Sequence, residues 1–494
     1  MKLEPVIGLE IHVQLKTQSK MFCGCANVVS DAPPNSAICP ICLGYPGTLP
    51  VPNATAITWV QRAGAALKCE LAQHSKFDRK HYFYPDLPKG YQISQYDQPF
   101  CGPGQLEIIV EKEARVIGIT RIHLEEDAAK NIHDSATNST LIDFNRAGTP
   151  LMEIVTEPDV RTPEEAKVFL QELQRIMRAL GVSDADMEKG QLRCDANVSL
   201  HEVGSEELYP KTEIKNLNSF RNVERALHYE IKRQQELWEQ GKPPAELSTR
   251  GFDADQGVTT AQRTKEEAAD YRYFPDPDIP PFIFTAEELT ALQRQLPELP
   301  QDVRARLQRQ YGLPQQQATL LVDVPKSTDF FEATASELEQ LERDTDGISK
   351  SALPELTHLA ANMIIRNIRN LWAQLAPDET FAVTAENFAE LVALVYQNKV
   401  NKSAVEQILE EMQRTGGDPD PIIAKLGLEQ VSDSGELEQL VEQVIAENPD
   451  VVAKIKEGKT SAAQFLMGQV MAKSKGKANP QVVTKLLLEK IGNG

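Results

Sequence analysis

The chain opens with a regular alternation of apolar and polar side chains, in the stretch Val6-Ile7-Gly8-Leu9-Glu10-Ile11-His12-Val13-Gln14-Leu15. Because side chains alternate across the two faces of a β-strand, the pattern predicts a strand with one apolar face. Glu10, His12 and Gln14 then share the other face, with successive Cα atoms about 6.5–7 Å apart. A carboxylate and an imidazole at this spacing can both reach one divalent ion. A half-buried antiparallel strand with a solvated polar face is the commoner alternative.

The whole sequence has the composition of a globular protein with about three domains. It has 494 residues, of which 41% are hydrophobic and 25% charged. No apolar run approaches the length of a membrane span. The first residues do not form a signal peptide, because Glu4 and Glu10 interrupt the apolar stretch that one requires. We therefore expect a cytoplasmic location. The formal net charge of -20 argues against nucleic-acid binding by the surface as a whole, but it leaves room for a local basic patch.

Four of the seven cysteines form two close pairs, C-x-C and C-x-x-C, in residues 23–42. Two such pairs can supply four thiolates to one tetrahedral zinc ion, and a closed site of this kind is structural because no coordination position stays open. Four reduced thiols that are neighbours by chance are the alternative. The predicted ligands are Cys23, Cys25, Cys39 and Cys42. The scattered thiols are expected to be buried and inert: Cys69, Cys101 and Cys194.

Polar residues also line later strands. A β-rich segment from Val110 runs into the acidic triplet Glu125-Glu126-Asp127, which is costly to assemble unless it is solvated or neutralised by cations. Residues 192–200 repeat the alternation of the first strand, with Arg193 and Asp195 on the polar face, and Glu213 follows. These strands predict a concave sheet that holds a charged ligand.

Two polar stretches are predicted to be mainly loops. Residues 79–91 interleave basic and aromatic side chains, which suits a phosphate-bearing ligand that can stack, although tyrosines also cap cores. Residues 143–153 contain Gly148 and Pro150, and polar loops on rigid scaffolds often carry sites, though many are simple connectors.

The second half of the chain is predicted to be helical. A helix is also predicted in the first half of the chain. It begins at Thr162, with Pro163 at its first position, and Glu165 completes a capping box. From Ala286 amphipathic acidic segments indicate a helical bundle. The segment from Val451 to the end has eight lysines and only two acidic residues, a local charge that suits a phosphate backbone, although a solvated lysine face is the simpler alternative.

The sequence lacks the short motifs of common catalytic folds. It has no glycine-rich nucleotide loop, nucleophile elbow or H-E-x-x-H helix. Chemistry would therefore rest on carboxylates, His12 and a metal, and spacing alone does not name a substrate.

Eight separate segments, in order, closely resemble the B subunit of the aspartyl/glutamyl-tRNA amidotransferases (the Gat A, B and C complex). They are Gly8–Leu15, Cys39–Gly44, Lys80–Gln92, Leu124–Asp127, Asp143–Arg146, Lys215–Ser219, Asp270–Pro275 and Gly458–Met471. The resemblance implies an α+β fold in three parts: a largely antiparallel-sheet cradle domain with helices at residues 1–292, an all-α helical domain at 293–410 and an α-helical YqeY-like tail domain at 411–494. The zinc knuckle lies at residues 23–42 of the cradle.

The resemblance also implies a reaction. The B subunit uses ATP and Mg²⁺ to phosphorylate the side-chain carboxylate of misacylated Glu-tRNA(Gln) or Asp-tRNA(Asn), and ammonia from a glutaminase partner then displaces phosphate. Glu10, His12 and Glu125 are expected to be catalytic and to bind Mg²⁺, with Asp195 and Glu213 nearby. Contacts to ATP or the acyl adduct are expected from Lys80, Tyr82, Lys89, Asn145, Arg146 and Arg193. Contacts to tRNA are expected from Lys459, Lys473, Lys475 and Lys477.

The implied assembly is a heterotrimer with the amidase (A) and small (C) subunits, because this sequence shows no glutaminase machinery of its own. The implied cofactors are ATP as substrate, Mg²⁺ and structural Zn²⁺. A non-catalytic tRNA-binding scaffold is the competing hypothesis, in which Glu10, His12 and Glu125 are ordinary solvated groups. A self-contained ATP-dependent ligase is a third, and the missing nitrogen source weakens it.

Overall fold

The computed structural model describes residues 2–28, 32–134, 136–205, 207–262, 270–344, 349–376, 379–430, 434–456, 462–474, 478 and 480–492. The chain divides into two units, Met1–Pro300 and Gln301–Gly494. A mixed sheet with helices forms the first unit and helices form the second, which confirms the α+β fold class. Within the described part of the chain, no helix is both long and apolar enough to span a membrane.

The first unit contains the strands and most of the loops. Its elements are β1 Leu3–Gln14, α1 Ala54–Ala66, β2 His74–Ser75, β3 Asp78–His81, β4 Tyr91–Ser94, β5 Gly104–Val110, β6 Glu113–Glu126, β7 Lys130–Asp134, β8 Ser139–Asp143, β9 Pro150–Thr156, α2 Pro163–Ala179, β10 Leu192–Glu202, β11 Thr212–Leu217, α3 Phe220–Glu239, β12 Ser248–Asp253, β13 Val258–Ala261, β14 Phe274–Pro275, β15 Phe282–Ile283 and α4 Ala286–Arg294.

Strand β1 lies in the middle of an eight-stranded sheet with the order β13-β12-β11-β10-β1-β9-β6-β5. Its neighbours β10 and β9 both run antiparallel to it, and β11 and β12 pair in parallel. Ile7, Leu9, Ile11 and Val13 are at most 1% exposed and belong to the core of the unit, as their alternation predicts. The opposite face of β1 is therefore free to carry polar side chains.

Helices cover the apolar side of this sheet. Helix α2 begins at the predicted cap: Thr162 accepts a hydrogen bond from the backbone N–H of Glu165, and Glu165 accepts one in return, which confirms the capping box. Helices α2 and α3 pack on each other, and α3 packs on β10.

Residues 79–91 are mostly loop, as predicted, and their two ends belong to β3 and β4, which form a small sheet with β14. The second loop prediction needs correction. The polar loop predicted for residues 143–153 ends at Pro150, where β9 begins, because pairing with both β1 and β6 imposes an extended backbone. Glu153 therefore belongs to the large sheet.

Glu230 of α3 is fully buried and fastens the helix to the sheet. Its carboxylate accepts hydrogen bonds from Arg233, Gln234 and Thr259. Burial opposes the charged form, but the Arg233 guanidinium and these donors outweigh it and lower the pKa of Glu230.

We expect Glu230→Ala to lower the free energy of unfolding by about 3–5 kcal/mol, because it leaves Arg233 without its partner. Since the folded pKa is depressed, the carboxylate stabilises the protein above the unfolded pKa of about 4.3, and this contribution is lost as pH falls through the folded pKa. Denaturant unfolding at neutral and acidic pH measures both the loss in the free energy of unfolding and its dependence on pH. Glu236→Ala, at an exposed position of the same helix, is the control and should change stability by about 0.5 kcal/mol or less. An equal loss in the two variants would contradict this account.

Within its described residues, the regular secondary structure of the second unit consists of helices. Its helices are α5 Pro300–Tyr311, α6 Gln315–Val322, α7 Pro325–Asp344, α8 Leu353–Met363, α9 Arg369–Gln374, α10 Ala385–Tyr396, α11 Val405–Thr415, α12 Pro419–Leu426, α13 Ser434–Glu447, α14 Pro449–Lys456, α15 Ala462–Lys473 and α16 Pro480–Gly492. Short 3-10 turns lie at Lys350–Ala352 and Lys402–Ala404, and a π-helical turn lies at Ile364–Ile368. One apolar cluster spans Leu307 to Ile423 and another spans Leu437 to Ile491.

Candidate functional site

Three adjacent strands place His12, Glu153 and His123 side by side on the polar face of the sheet. His12 of β1 lies opposite Glu153 of β9, and Glu153 lies opposite His123 of β6. The Nε2 atoms of His12 and His123 are 3.3 and 3.1 Å from Oε2 of Glu153. A single buried carboxylate thus joins two imidazoles from different strands.

Glu125 lies two residues after His123 and closes the arrangement. One of its oxygens is 3.8 Å from Nε2 of His12, and the other is 3.6 Å from Nε2 of His123 and accepts a hydrogen bond from Ser94 at 3.0 Å. Glu125 and Glu153 are 2% and 5% exposed. Two carboxylates this buried need positive charge beside them.

The titration behaviour of these groups reflects that need. Burial opposes ionisation of Glu153 and Glu125, yet the neighbouring histidines lower the pKa of both carboxyls. Burial likewise opposes the charged imidazole of His123, but Glu153 and Glu125 raise its pKa to about 9. Burial lowers the pKa of His12, but its hydrogen bond to Glu153 and the charges of Glu153 and Glu125 together outweigh burial and raise it.

Glu10 extends this site along β1. Ligand-type atoms of Glu10, His12 and Glu153 lie within 4.8 Å of one another, and so do those of His123, Glu125 and Glu153. Burial, followed by the charge of Glu153, raises the pKa of Glu10. We call these five residues the carboxylate–histidine row. Its two groups share Glu153, and each offers the donors of a divalent-cation site.

Lys80 faces the carboxylate–histidine row from β3. Burial disfavours its charge, but Glu125, Tyr273 and Glu153 raise its pKa, so the ammonium stays charged. Its Nζ lies 5.0 Å from the centre of the Tyr271 ring, and the Tyr82 ring packs edge-on against Tyr271. Two of the residues predicted to contact ATP or substrate, Lys80 and Tyr82, therefore lie beside the row.

The acidic triplet is neutralised by cationic side chains. Lys89 contacts the carboxylate of Glu126, which also accepts a hydrogen bond from the backbone N–H of Ile93 at 3.0 Å. Asp127 accepts hydrogen bonds from Arg193 at 2.6 Å and from Gln14 at 2.8 Å.

Asn145 and Arg146 hold neighbouring backbone segments. The Asn145 side chain accepts a hydrogen bond from the N–H of Ala37 and donates one to the carbonyl of Pro33. Arg146 donates to the carbonyls of Ala128 and Ala129. Both residues also line a cavity of about 270 Å³ that we call the basic cavity. Its other charged or polar lining residues include Gln14, Lys130, Asp143, Lys189 and Arg193.

Asp195 and Glu213 lie on the next two strands and are joined by Lys215. Asp195 is directly opposite Glu10 in the sheet. The Nζ of Lys215 is 2.6 Å from Asp195 and 3.0 Å from Glu213. Burial opposes this ammonium, but the two carboxylates raise the pKa of Lys215. The predicted acids are thus close to the row and already have a cationic partner.

The four cysteines of residues 23–42 come together as one cluster. Their Sγ atoms all lie within 4.8 Å of one another, which suits four thiolates around one tetrahedral ion. A hydrogen bond from the Cys23 thiol lowers the pKa of Cys42 to about 5, and burial raises the pKa of Cys25 to about 11.

The lysine tail is only partly described. Nζ of Lys473 is 2.6 and 2.7 Å from the two carboxylate oxygens of Glu447. The other predicted tRNA contacts lie outside the described residues: Lys459, Lys475 and Lys477.

The sequence reasoning missed Glu153 and gave His123 no role. Glu153 lies in an otherwise apolar run, Leu151-Met152-Glu153-Ile154-Val155. A lone acid inside a run of strand-forming apolar residues was the available signal, because burying a charge without a partner is costly.

Comparisons with known proteins agree along the whole chain. The family described as the GatB/GatE catalytic domain matches residues 5–290, and the family described as the GatB domain matches residues 350–491. The chain is also similar to proteins named as the B subunit of aspartyl/glutamyl-tRNA(Asn/Gln) amidotransferase. It is 46% identical to one from Dehalococcoides mccartyi, with 99% of each chain covered. It is 44% identical to one from Thermotoga maritima, with 99% of this chain and 98% of the relative covered.

Proposed function

This chain belongs to the family of B subunits of the aspartyl/glutamyl-tRNA(Asn/Gln) amidotransferases, and from that premise we propose that it activates the side-chain carboxylate of misacylated Glu-tRNA(Gln) or Asp-tRNA(Asn) with ATP. The observation that supports this most is the carboxylate–histidine row, where Glu153 links His12 to His123. A scaffold has no need to bury two carboxylates and two imidazoles on one face of a sheet.

The proposed reaction has two steps. A carboxylate oxygen of the misacylated residue attacks the γ-phosphorus of ATP, the bond to the β,γ-bridging oxygen breaks, and ADP leaves. Ammonia then attacks the carbonyl carbon of the acyl phosphate, phosphate leaves with the electron pair of the carbon–oxygen bond, and a proton is lost to give the amide. The first step brings two anions together, so the protein must supply positive charge.

The donor set of the carboxylate–histidine row fits Mg²⁺. Its three carboxylates, Glu10, Glu125 and Glu153, offer the hard oxygen ligands that this ion prefers. We assign Mg²⁺ to Glu10, His12, Glu125 and Glu153, with Asp195 and Glu213 as further carboxylates near the ion. When bound, the ion would neutralise the charge on the transferring phosphoryl group.

The chain's own cations take the remaining roles. Lys80, held in its charged form beside Glu125, would contact the phosphoryl group or the substrate carboxylate. Arg193, which is bound to Asp127, would orient substrate at the edge of the basic cavity, together with Asn145 and Arg146. Lys89 and Tyr82 would contact ATP or the acyl adduct. Substitution of each residue tests its assignment.

We also propose the assembly that the reaction requires. Ammonia would come from an amidase (A) subunit, and a small (C) subunit would complete a cytoplasmic heterotrimer. Misacylated tRNA would contact the lysine tail through Lys459, Lys473, Lys475 and Lys477. The relatives are named as the B subunit of an amidotransferase, which supports a multi-subunit assembly.

The proposed function is tested by ATP hydrolysis in the assembled complex. Misacylated tRNA should stimulate hydrolysis, whereas the correctly charged or uncharged tRNA should not. Stimulation equal for all three tRNAs would contradict the proposal, because the carboxylate would then not be the phosphoryl acceptor.

We propose that the cysteine cluster binds one structural Zn²⁺ and expect Cys39→Ser to remove it. Since metal binding contributes to folding, the melting temperature should fall by about 5 °C or more. Metal analysis and thermal unfolding measure the two effects. Cys69→Ala, at a buried cysteine outside the cluster, should keep full zinc content. Wild-type protein that contains no zinc after metal-replete expression would overturn the assignment.

A further inference from the structure

The segment between the two cysteine pairs is bound to the loop that follows β8. We call residues 32–37 of this segment the knuckle linker. We call residues 142–149, which run from the end of β8 to the start of β9, the cavity loop. Residues of both line the basic cavity: Ala32, Asp143, Asn145, Arg146 and Thr149. The knuckle linker and the cavity loop therefore shape that cavity together.

The side chain of Asn145 binds the knuckle linker at two places. It is 6% exposed, it accepts a hydrogen bond from the N–H of Ala37 at 2.9 Å, and it donates one to the carbonyl of Pro33 at 2.8 Å. A buried amide needs such partners, because an unpaired one costs the free energy of its desolvation. The position of Asn145 in the basic cavity thus depends on the conformation of the knuckle linker.

Asn35 of the knuckle linker makes three further hydrogen bonds to the cavity loop. Its side chain accepts one from the N–H of Phe144 at 2.8 Å and donates one to the carbonyl of Ile142 at 3.1 Å. Its backbone N–H donates to the carboxylate of Asp143 at 3.0 Å. The φ of Asn35 is 58°, a left-handed conformation in which asparagine is enriched. Because Asn35 is exposed, its side chain can be replaced without a change to the core.

The cavity loop is also held by the first cysteine pair's neighbours and by the acidic triplet. Lys20 is 1% exposed, and its Nζ donates to the carbonyl of Phe144 at 3.2 Å. The N–H of Met21 donates to the carbonyl of Gly148 at 2.7 Å, and the N–H of Gly148 donates to the carbonyl of Asp127 at 2.9 Å. Hydrogen bonds therefore connect the cysteine segment, through the cavity loop, to the acidic triplet.

The cysteine cluster lies at both ends of the knuckle linker. Cys25 precedes the linker and Cys39 follows it, and the Sγ atoms of the cluster lie within 4.8 Å of one another. A metal that closes a loop lowers the conformational entropy of the chain between its ligands, and the proposed zinc ion would do so here. The order of the knuckle linker, and with it that of the cavity loop, should therefore depend on the cluster.

We propose that the knuckle linker positions the cavity loop for the misacylated substrate, with Asn35 as a positioning residue and the cysteine cluster as the anchor. The proposal rests on the function proposed above, in which Asn145 and Arg146 help to orient that substrate. The carboxylate–histidine row stands on β1, β6 and β9, so strand pairing rather than the knuckle linker holds it in place. Loss of the linker's contacts should therefore weaken the use of misacylated tRNA and leave the rate at saturation unchanged.

The test is Asn35→Gly in the assembled complex. Glycine adopts a positive φ without strain, so the substitution removes the two side-chain hydrogen bonds and keeps the backbone conformation. We expect faster hydrogen exchange at the amides of residues 142–149 and a KM for misacylated tRNA raised about tenfold. The kcat and the Kd for a non-hydrolysable ATP analogue should not change. The matched control is Asn398→Gly, an exposed asparagine with the same φ of 58°, which should change none of these quantities.

The anchoring role of the cysteine cluster is tested by the same exchange measurement, made on Cys39→Ser and on wild-type complex treated with a metal chelator. Exchange at residues 142–149 should be faster in both, while the amides of helix α2, Pro163–Ala179, should exchange as in the untreated wild type. Unchanged exchange of the cavity loop in both would overturn the anchoring role.

The outcomes separate this proposal from the proposed function. Unchanged exchange with an unchanged KM in Asn35→Gly, or a lower kcat with the KM intact, would overturn the positioning role and leave the proposed function standing. Faster exchange throughout the first unit would indicate a general loss of stability and would also overturn it. In a complex that never transfers phosphate to the misacylated residue, faster exchange of the cavity loop with a raised Kd for misacylated tRNA would support the positioning role and overturn the proposed function.

Discussion

Glu153→Gln is expected to lower ATP hydrolysis stimulated by misacylated tRNA about a thousandfold, in the range found when one essential electrostatic group is removed from an active site. Glu153 is the residue shared by the two groups of the carboxylate–histidine row. Its loss removes a proposed ligand and also leaves His12 and His123 without the carboxylate that raises their pKa values.

The measurement is steady-state hydrolysis in the assembled complex, with tRNA binding and glutaminase activity followed in parallel. Glu157→Gln, at an exposed position just beyond β9, is the matched control and should keep wild-type activity. Loss of tRNA binding in step with hydrolysis would point to a binding or folding role for Glu153 and would contradict the catalytic assignment.

Lys80→Met should have the second largest effect, lowering the rate of phosphate formation in a single turnover about a hundredfold. The substitution keeps most of the apolar length of the side chain and removes the charge that faces Glu125 and Glu153. The loss should appear in the rate at saturating ATP, because the ammonium is proposed to act on the transferring group. Lys232→Met, at an exposed position on α3, is the control. A change confined to the KM for ATP would instead make Lys80 a binding residue.

Local sequence patterns predicted the parts of the fold whose signal is itself local. The alternation of residues 6–15 predicted β1 and its polar face, and Thr162 with Glu165 predicted the start of α2. Both follow from the geometry of a few consecutive residues, and the structure confirms them.

The composition of the site could be predicted only in part, because it depends on pairing between distant strands. Glu153 is close to His12 only because β9 lies between β1 and β6, an order that no spacing along the chain specifies. The apolar neighbours of Glu153 also hide the polar face of β9 in the sequence pattern. Sequence reasoning assigned no role to Lys215 for a similar reason: its partners Asp195 and Glu213 lie on two strands.

The central claim is that this chain carries the step in which ATP activates the misacylated side chain. The most direct measurement uses misacylated tRNA whose side-chain carboxylate carries heavy oxygen, with mass analysis of the phosphate released by the complex in wild-type, His12→Ala and Glu125→Ala forms. We predict one heavy oxygen in each phosphate from the wild type, and almost no phosphate from variants that still bind tRNA. Unlabelled phosphate from the wild type, or labelled phosphate at the wild-type rate from both variants, would contradict the claim and favour a scaffold role for this chain.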